Sequence, residues 1–111
     1  MDRTPPLIIV TGPTGAGKTA LVLALARDFP LEVVSADSMQ VYRHMDIATA
    51  KPSRQEQAVL PHTLIDIREP DEEFNAGMFM VLASRAISEI RSRGRIPLVV
   101  GGTGLYIKAL L

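Results

Sequence analysis

Residues 12–19 read Gly12-Pro13-Thr14-Gly15-Ala16-Gly17-Lys18-Thr19, and this stretch decides the fold. Gly12, Gly17, Lys18 and Thr19 meet the spacing of a phosphate-binding loop. Glycines let the backbone curl until several N–H groups face one anion. The helix that follows turns its positive end to the same anion. Lys18 adds a charge for the outer phosphate, and the Thr19 hydroxyl is a ligand for a phosphate-bound Mg²⁺. Pro13, Thr14, Gly15 and Ala16 complete the cradle. The context agrees: Leu7-Ile8-Ile9-Val10 reads as a buried strand before the loop, and residues 20–26 as a buried helix after it.

Working outward, the first strand is expected over residues 7–11 and its helix over 18–28, apolar nearly all round and ended by Pro30. Residues 32–37 read as a second strand. Residues 38–52 lack a clear period and read as a loop with a turn of helix near 39–42. Residues 53–60 suit a short polar helix capped by Ser53. Residues 63–67 read as a further strand and 68–74 as an acidic loop. Asn75 is a good cap for the clearest helix, which stops at Gly94. Its buried stripe is expected to be Phe79, Leu82, Ala83, Ala86 and Ile90. Residues 97–101 form the next strand, and Gly102-Thr103-Gly104 leads into a last helix over 105–111. Alternation of this kind predicts an α/β fold: a parallel, P-loop NTPase-like sheet with flanking helices. One domain over residues 1–111 is expected. It would be an incomplete one, because the chain stops inside an apolar helical pattern and leaves a sheet edge uncovered.

Composition narrows the function. Of 111 residues 47% are hydrophobic, enough for a core, and the formal net charge is zero, so no basic excess advertises nucleic acid. There is no Cys, hence no disulfide framework and no thiolate metal site. Neither a signal peptide nor an apolar run of membrane-spanning length is present, and a cytoplasmic protein is the default expectation.

In a parallel sheet, ligands sit beyond the carboxyl ends of the strands. Three places qualify: the 12–19 loop, Ala36-Asp37-Ser38, and Gly101-Gly102-Thr103-Gly104. Asp37 suits a general base, a group holding Mg²⁺ through water, or a cap of the next turn. Asp66 is a lower-ranked competitor for the metal. Thr103 suits a hydroxyl meeting a phosphate, or the cap of the last helix. His44 and His62 read as ordinary polar or capping residues. Arg85, Arg91, Arg93 and Arg95 read as a solvated face with Glu89 paired to Arg93. Phe74, Phe79 and Met78 read as core.

Taken together the motifs resemble the tRNA dimethylallyltransferases. The resemblance rests on residues 12–19, on Ser35-Ala36-Asp37-Ser38-Met39-Gln40-Val41-Tyr42-Arg43, on Met45-Asp46-Ile47-Ala48-Thr49-Ala50-Lys51-Pro52, on Pro61-His62-Thr63-Leu64-Ile65-Asp66, and on Pro97-Leu98-Val99-Val100-Gly101-Gly102-Thr103-Gly104-Leu105-Tyr106. Gly15-Ala16 stands where the family mostly has Ala-Ser, Ala48 replaces a usual Gly, and Thr63 a second His. The resemblance implies transfer of a dimethylallyl group from dimethylallyl diphosphate to N6 of an adenosine beside the tRNA anticodon. It makes Lys18, Asp37 and Thr103 catalytic. It gives residues 12–19 to the diphosphate, with Thr19 and Mg²⁺. Asp37, Ser38, Met39, Gln40 and Thr103 go to the tRNA. It further implies an enzyme much longer than this chain, so the 111 residues alone are expected to be inactive and marginally stable; the sequence does not give the oligomeric state, and a monomer is the expectation for the full-length enzyme. An adenylate isopentenyltransferase, an ATP-binding small-metabolite kinase, and an inactive nucleotide-binding piece are the alternatives.

Overall fold

The computed structural model describes residues 7–12, 18–44 and 51–111, with the backbone alone of Lys18 and Thr19. The elements are β1 (Ile8–Thr11), α1 (Lys18–Ala26), β2 (Leu31–Ser35), α2 (Arg54–Val59), β3 (His62–Thr63), α3 (Ala76–Ser92), β4 (Ile96–Gly101) and α4 (Gly104–Leu110). The four described strands form one parallel sheet in the order β1-β4-β2-β3. This is the parallel α/β architecture that the alternating pattern predicts.

Successive residues of a strand face opposite sides, and the core divides accordingly. Val34 and Val99 join a cluster with Phe79, Ala83, Ala86, Ile87 and Ile90 of α3 and Tyr106 of α4. Val33, Leu31 and Leu98 join Val22 of α1 and Leu60 on the other face. Tyr106 stacks on Phe79 at 4.7 Å between ring centroids and meets Phe74 edge-on at 5.9 Å, so both phenylalanines are core, as expected.

The caps follow the sequence closely. Ser53 and Glu56 make a reciprocal capping box on α2, and Asn75 accepts from the Met78 N–H at the start of α3. At the other end of α3 the Gly94 N–H donates to the Arg91 carbonyl and the Arg95 N–H to the Ile90 carbonyl, a Schellman closure. Gly94 stands at φ 74° with open space where a side chain would project. Gly94→Ala therefore meets a backbone penalty and no clash. It should lower stability by about 1 kcal/mol, read as a shifted urea midpoint at unchanged slope.

Four expectations need correction. First, the strand expected over 63–67 is only His62–Thr63. Leu64 (φ 67°) and Asp66 (φ 56°) turn left-handed, and the chain changes partner. Asp66, Ile67 and Arg68 donate from their backbones to Gln40 and Val41, and Tyr42 bridges Arg68. Second, the helix after the loop ends at Ala26 and is not buried all round. Val22 is buried, while Leu21 is 51% exposed, because in the described structure the sheet covers only one of its sides. Third, among the described residues β1 has a neighbour on one side only, β4, and it is not buried, with Ile8 46% exposed. Fourth, Arg93 does not pair with Glu89. It makes a two-pronged contact with the buried Glu32 of β2 (2.7 and 3.3 Å), and Arg95 adds a 3.0 Å ion pair. A buried carboxylate so far along the chain outcompetes an exposed helical neighbour, because leaving it unpaired is costly. The hydrogen bonds that Arg93 donates to the Glu32 carboxylate hold its guanidinium above its usual range.

Candidate active site

Parallel pairing places the carboxyl ends of β1, β4 and β2 side by side. Thr11 is in register with Gly101, and Ser35 with Val100. Gly12, Ala36 and Gly102 thus leave the sheet at one edge, where the three candidate segments were expected to converge. Gly12 takes φ 155°, a conformation that favours glycine. Pro13, Thr14, Gly15, Ala16 and Gly17, and the side chains of Lys18 and Thr19, lie outside the described residues, as do residues 1–6 and 45–50.

Beyond the strand ends, β2 and β4 stay joined. The Ala36 N–H donates to the Val100 carbonyl at 2.8 Å, and the Thr103 N–H to the Ala36 carbonyl at 3.2 Å. Gly101 faces this seam. A methyl group on it would lie 2.2 Å from the Ala36 carbonyl oxygen, which is why glycine stands there.

Strand β2 stops at Ser35, so Asp37 lies two residues past it, half-buried at the head of a turn. Its Oδ1 accepts from the Met39 N–H (2.8 Å) and the Gln40 N–H (3.2 Å). The capping reading of Asp37 is therefore correct for Oδ1; Oδ2 takes no part in that turn. Thr103 occupies the cap position of α4, yet its hydroxyl makes no cap bond there. The Thr103 Oγ1 instead accepts from the Ser38 N–H at 2.9 Å, across to the other loop. An Oγ1 that accepts from Ser38 has its own hydrogen to donate elsewhere. Ser35 Oγ, buried, donates to Gln40 Oε1 at 3.0 Å and fixes that amide. Met39 stands outward, 41% exposed. Asp37, Ser38, Met39, Gln40 and Thr103 are thus one connected group. Beneath it lies Tyr106. Its phenol is held above the usual range by burial first, then by Tyr42 and the Asp37 carboxylate.

Asp66 is not part of this group. Its carboxylate pairs with Lys51 at 2.6 Å, a contact that sequence spacing does not signal. His62 receives an ordinary structural role, with Nδ1 2.7 Å from the Leu60 carbonyl, and burial lowers its pKa. His44 is exposed, 3.7 Å from Glu69.

A parallel sheet whose strand ends bring together Gly12, a half-buried carboxylate and a cross-linking hydroxyl defines a protein of the α/β class with its candidate site at the carboxyl edge of the strands. Comparison with known proteins narrows the class. The IPP transferase family profile matches residues 40–111, and the chain belongs to that family. It is 60% identical over 110 residues to tRNA dimethylallyltransferase 1 of Syntrophotalea carbinolica, covering 99% of this chain and 35% of that protein. Two solved structures share the fold. One is a tRNA delta(2)-isopentenylpyrophosphate transferase from Staphylococcus epidermidis, at 48% identity and TM-score 0.91, over 97% of this chain and 36% of that one. The other is a eukaryotic dimethylallyltransferase acting on tRNA, at 40% identity and TM-score 0.87, over 94% and 26%. The chain spans about a third of the length of the relatives it matches.

Proposed function

We propose that this chain is the diphosphate-holding and base-presenting part of a tRNA dimethylallyltransferase. The observation that carries the proposal is the Thr103–Ser38 link. It ties the loop bearing Asp37 to the glycine-rich turn after β4, so a base and a leaving-group contact share one edge with Gly12, where the phosphate-loop motif begins. In the proposed reaction the C1–O bond of dimethylallyl diphosphate breaks as a bond from C1 to adenosine N6 forms. The diphosphate leaves with the bonding pair. The N6 proton passes to Asp37, since the delocalised lone pair makes the amine a poor nucleophile. Lys18 and the loop's N–H groups stabilise the departing charge, and the Thr103 hydroxyl donates towards it. Ser38, Met39 and Gln40 would meet the adenosine, flipped out of its stack; Ser35 fixes which way the Gln40 amide points.

Mg²⁺ belongs to the proposal. The described residues contain no group of three or more His, Cys, Asp and Glu that could cage a metal. The ion would be held by diphosphate oxygens, water and the Thr19 hydroxyl, the oxygen donors Mg²⁺ takes. When bound, it would neutralise diphosphate charge. No helix among the described residues is long and apolar enough to cross a membrane. We place the enzyme in the cytoplasm, acting as a monomer.

Relatives named for tRNA support this acceptor over a free adenine nucleotide, and over a metabolite kinase. The test is a chimaera in which residues 1–111 replace the matching third of the Syntrophotalea carbinolica relative. Given labelled dimethylallyl diphosphate, it should label unmodified tRNA. In the same chimaera Lys18→Ala should cut kcat/KM by about 10²-fold or more. Label appearing only in AMP, or ATP-dependent phosphate transfer instead, would replace the reading with a rival.

A further inference from the structure

Lys51 takes no part in the chemistry above, yet its side chain is only 6% exposed. An ammonium group withdrawn from water needs compensation. Here its Nζ donates to the Tyr42 carbonyl and to Asp66 Oδ1, each at 2.6 Å. Those two partners lie on the two segments that meet where the chain leaves β3. Around them the segments interlock: the Asp66 N–H donates to the Gln40 carbonyl at 3.0 Å, and Arg43 Nε donates to the Asp66 carbonyl at 3.0 Å. Gln40 is also the last residue of the turn that Asp37 caps. One buried cation therefore holds the underside of the turn whose upper side presents Asp37, Ser38 and Met39. Asp66 stands at φ 56°, a conformation Asp tolerates better than most residues but still adopts at a cost. The Lys51 contact offsets that cost.

We propose that Lys51, through Asp66, is a positioning residue that sets the Asp37–Gln40 turn for the acceptor substrate. The proposal rests on the tRNA-prenylating reading for its kinetic consequences, and on geometry alone for the order of the turn. Two measurements separate these. The first uses the chimaera with Lys51→Met, Lys51→Arg and Asp66→Asn. Lys51→Met should lower kcat/KM for tRNA by about 10- to 100-fold, as expected when a supporting partner of a site is lost. Affinity for dimethylallyl diphosphate should stay within about twofold. Lys51→Arg should restore part of the loss, because it returns a donor to both partners. Asp66→Asn should fall between, since Asn keeps an acceptor and suits the left-handed backbone. Equal losses in donor affinity and tRNA turnover, or no loss, would overturn the positioning role.

The second is hydrogen exchange, which needs no activity. In Lys51→Met the Met39 and Gln40 amide protons, held by Asp37 Oδ1, should exchange at least about tenfold faster. Val34 and Val99 in the sheet should be unchanged. Unaltered protection at Met39 and Gln40 overturns the proposal, whatever the kinetics. If the parent chimaera transfers nothing to tRNA, the functional reading fails, and exchange still decides the role of Lys51.

Discussion

Asp37→Asn in the chimaera is expected to lower kcat by about 10²- to 10⁴-fold, the range for loss of a positioned proton acceptor. The turn itself should survive. Oδ1 takes both backbone hydrogen bonds, from Met39 and Gln40, and Asn retains a carbonyl oxygen that can do the same. What Asn lacks is the second carboxylate oxygen and the capacity to accept a proton. Affinity for the donor diphosphate, and its dependence on Mg²⁺, should therefore stay close to the parent's. A role in metal binding predicts the reverse: weakened diphosphate binding, partly restored by extra Mg²⁺. Measuring kcat together with the Mg²⁺ dependence of diphosphate binding separates the two, and restoration by Mg²⁺ would remove Asp37 from the role of base.

The largest effect on stability is expected at Gly101. A methyl group there would stand 2.2 Å from the Ala36 carbonyl oxygen, 2.4 Å from its carbon and 2.9 Å from its Cα. All three are backbone atoms, so no side chain can swing aside. The ends of β2 and β4 would have to part, loosening the Ala36–Val100 and Thr103–Ala36 hydrogen bonds with them. Gly101→Ala should cost about 3 kcal/mol or more, at or above the upper range for overpacking a core. Gly104→Ala is the control. It meets nothing within 4 Å and lies at the start of α4, so it should be close to neutral. Urea denaturation of the two variants checks this, and equal midpoints would show that the seam is not rigid. Because Thr103 hangs from the same seam, Gly101→Ala should also reduce transfer more than its loss of folded protein explains.

Much of this was legible in the chain itself. Local rules sufficed for α3: an Asn cap, a stripe at helical spacing and a closing glycine are all encoded within one segment. They sufficed for Ser53 and Glu56 as well. The failures are all non-local. Nothing in Leu64-Ile65-Asp66 announces a left-handed Leu, which persists only because residues 66–68 find partners at 40–43. Glu32 looks like an ordinary strand residue until Arg93 and Arg95 arrive from the far end of α3. The Thr103 hydroxyl was expected to cap the last helix and makes no such bond. It bonds to Ser38, a partner whose nearness depends on β4 lying beside β2.

The strand order also bears on how the chain reaches this fold. β2 meets β3 early, Val33 against His62. β1 and β2, consecutive in sequence, never touch; β4 stands between them. Ile8 finds its partner only when Leu98 has been made. Closing so long a loop has an entropic cost before any contact rewards it, which makes such pairings slow. Emerging from the ribosome, the first strand has no partner strand to join until residue 101 has left the exit tunnel. For that interval Ile9, Val10 and their neighbours are exposed to chaperones, or to one another.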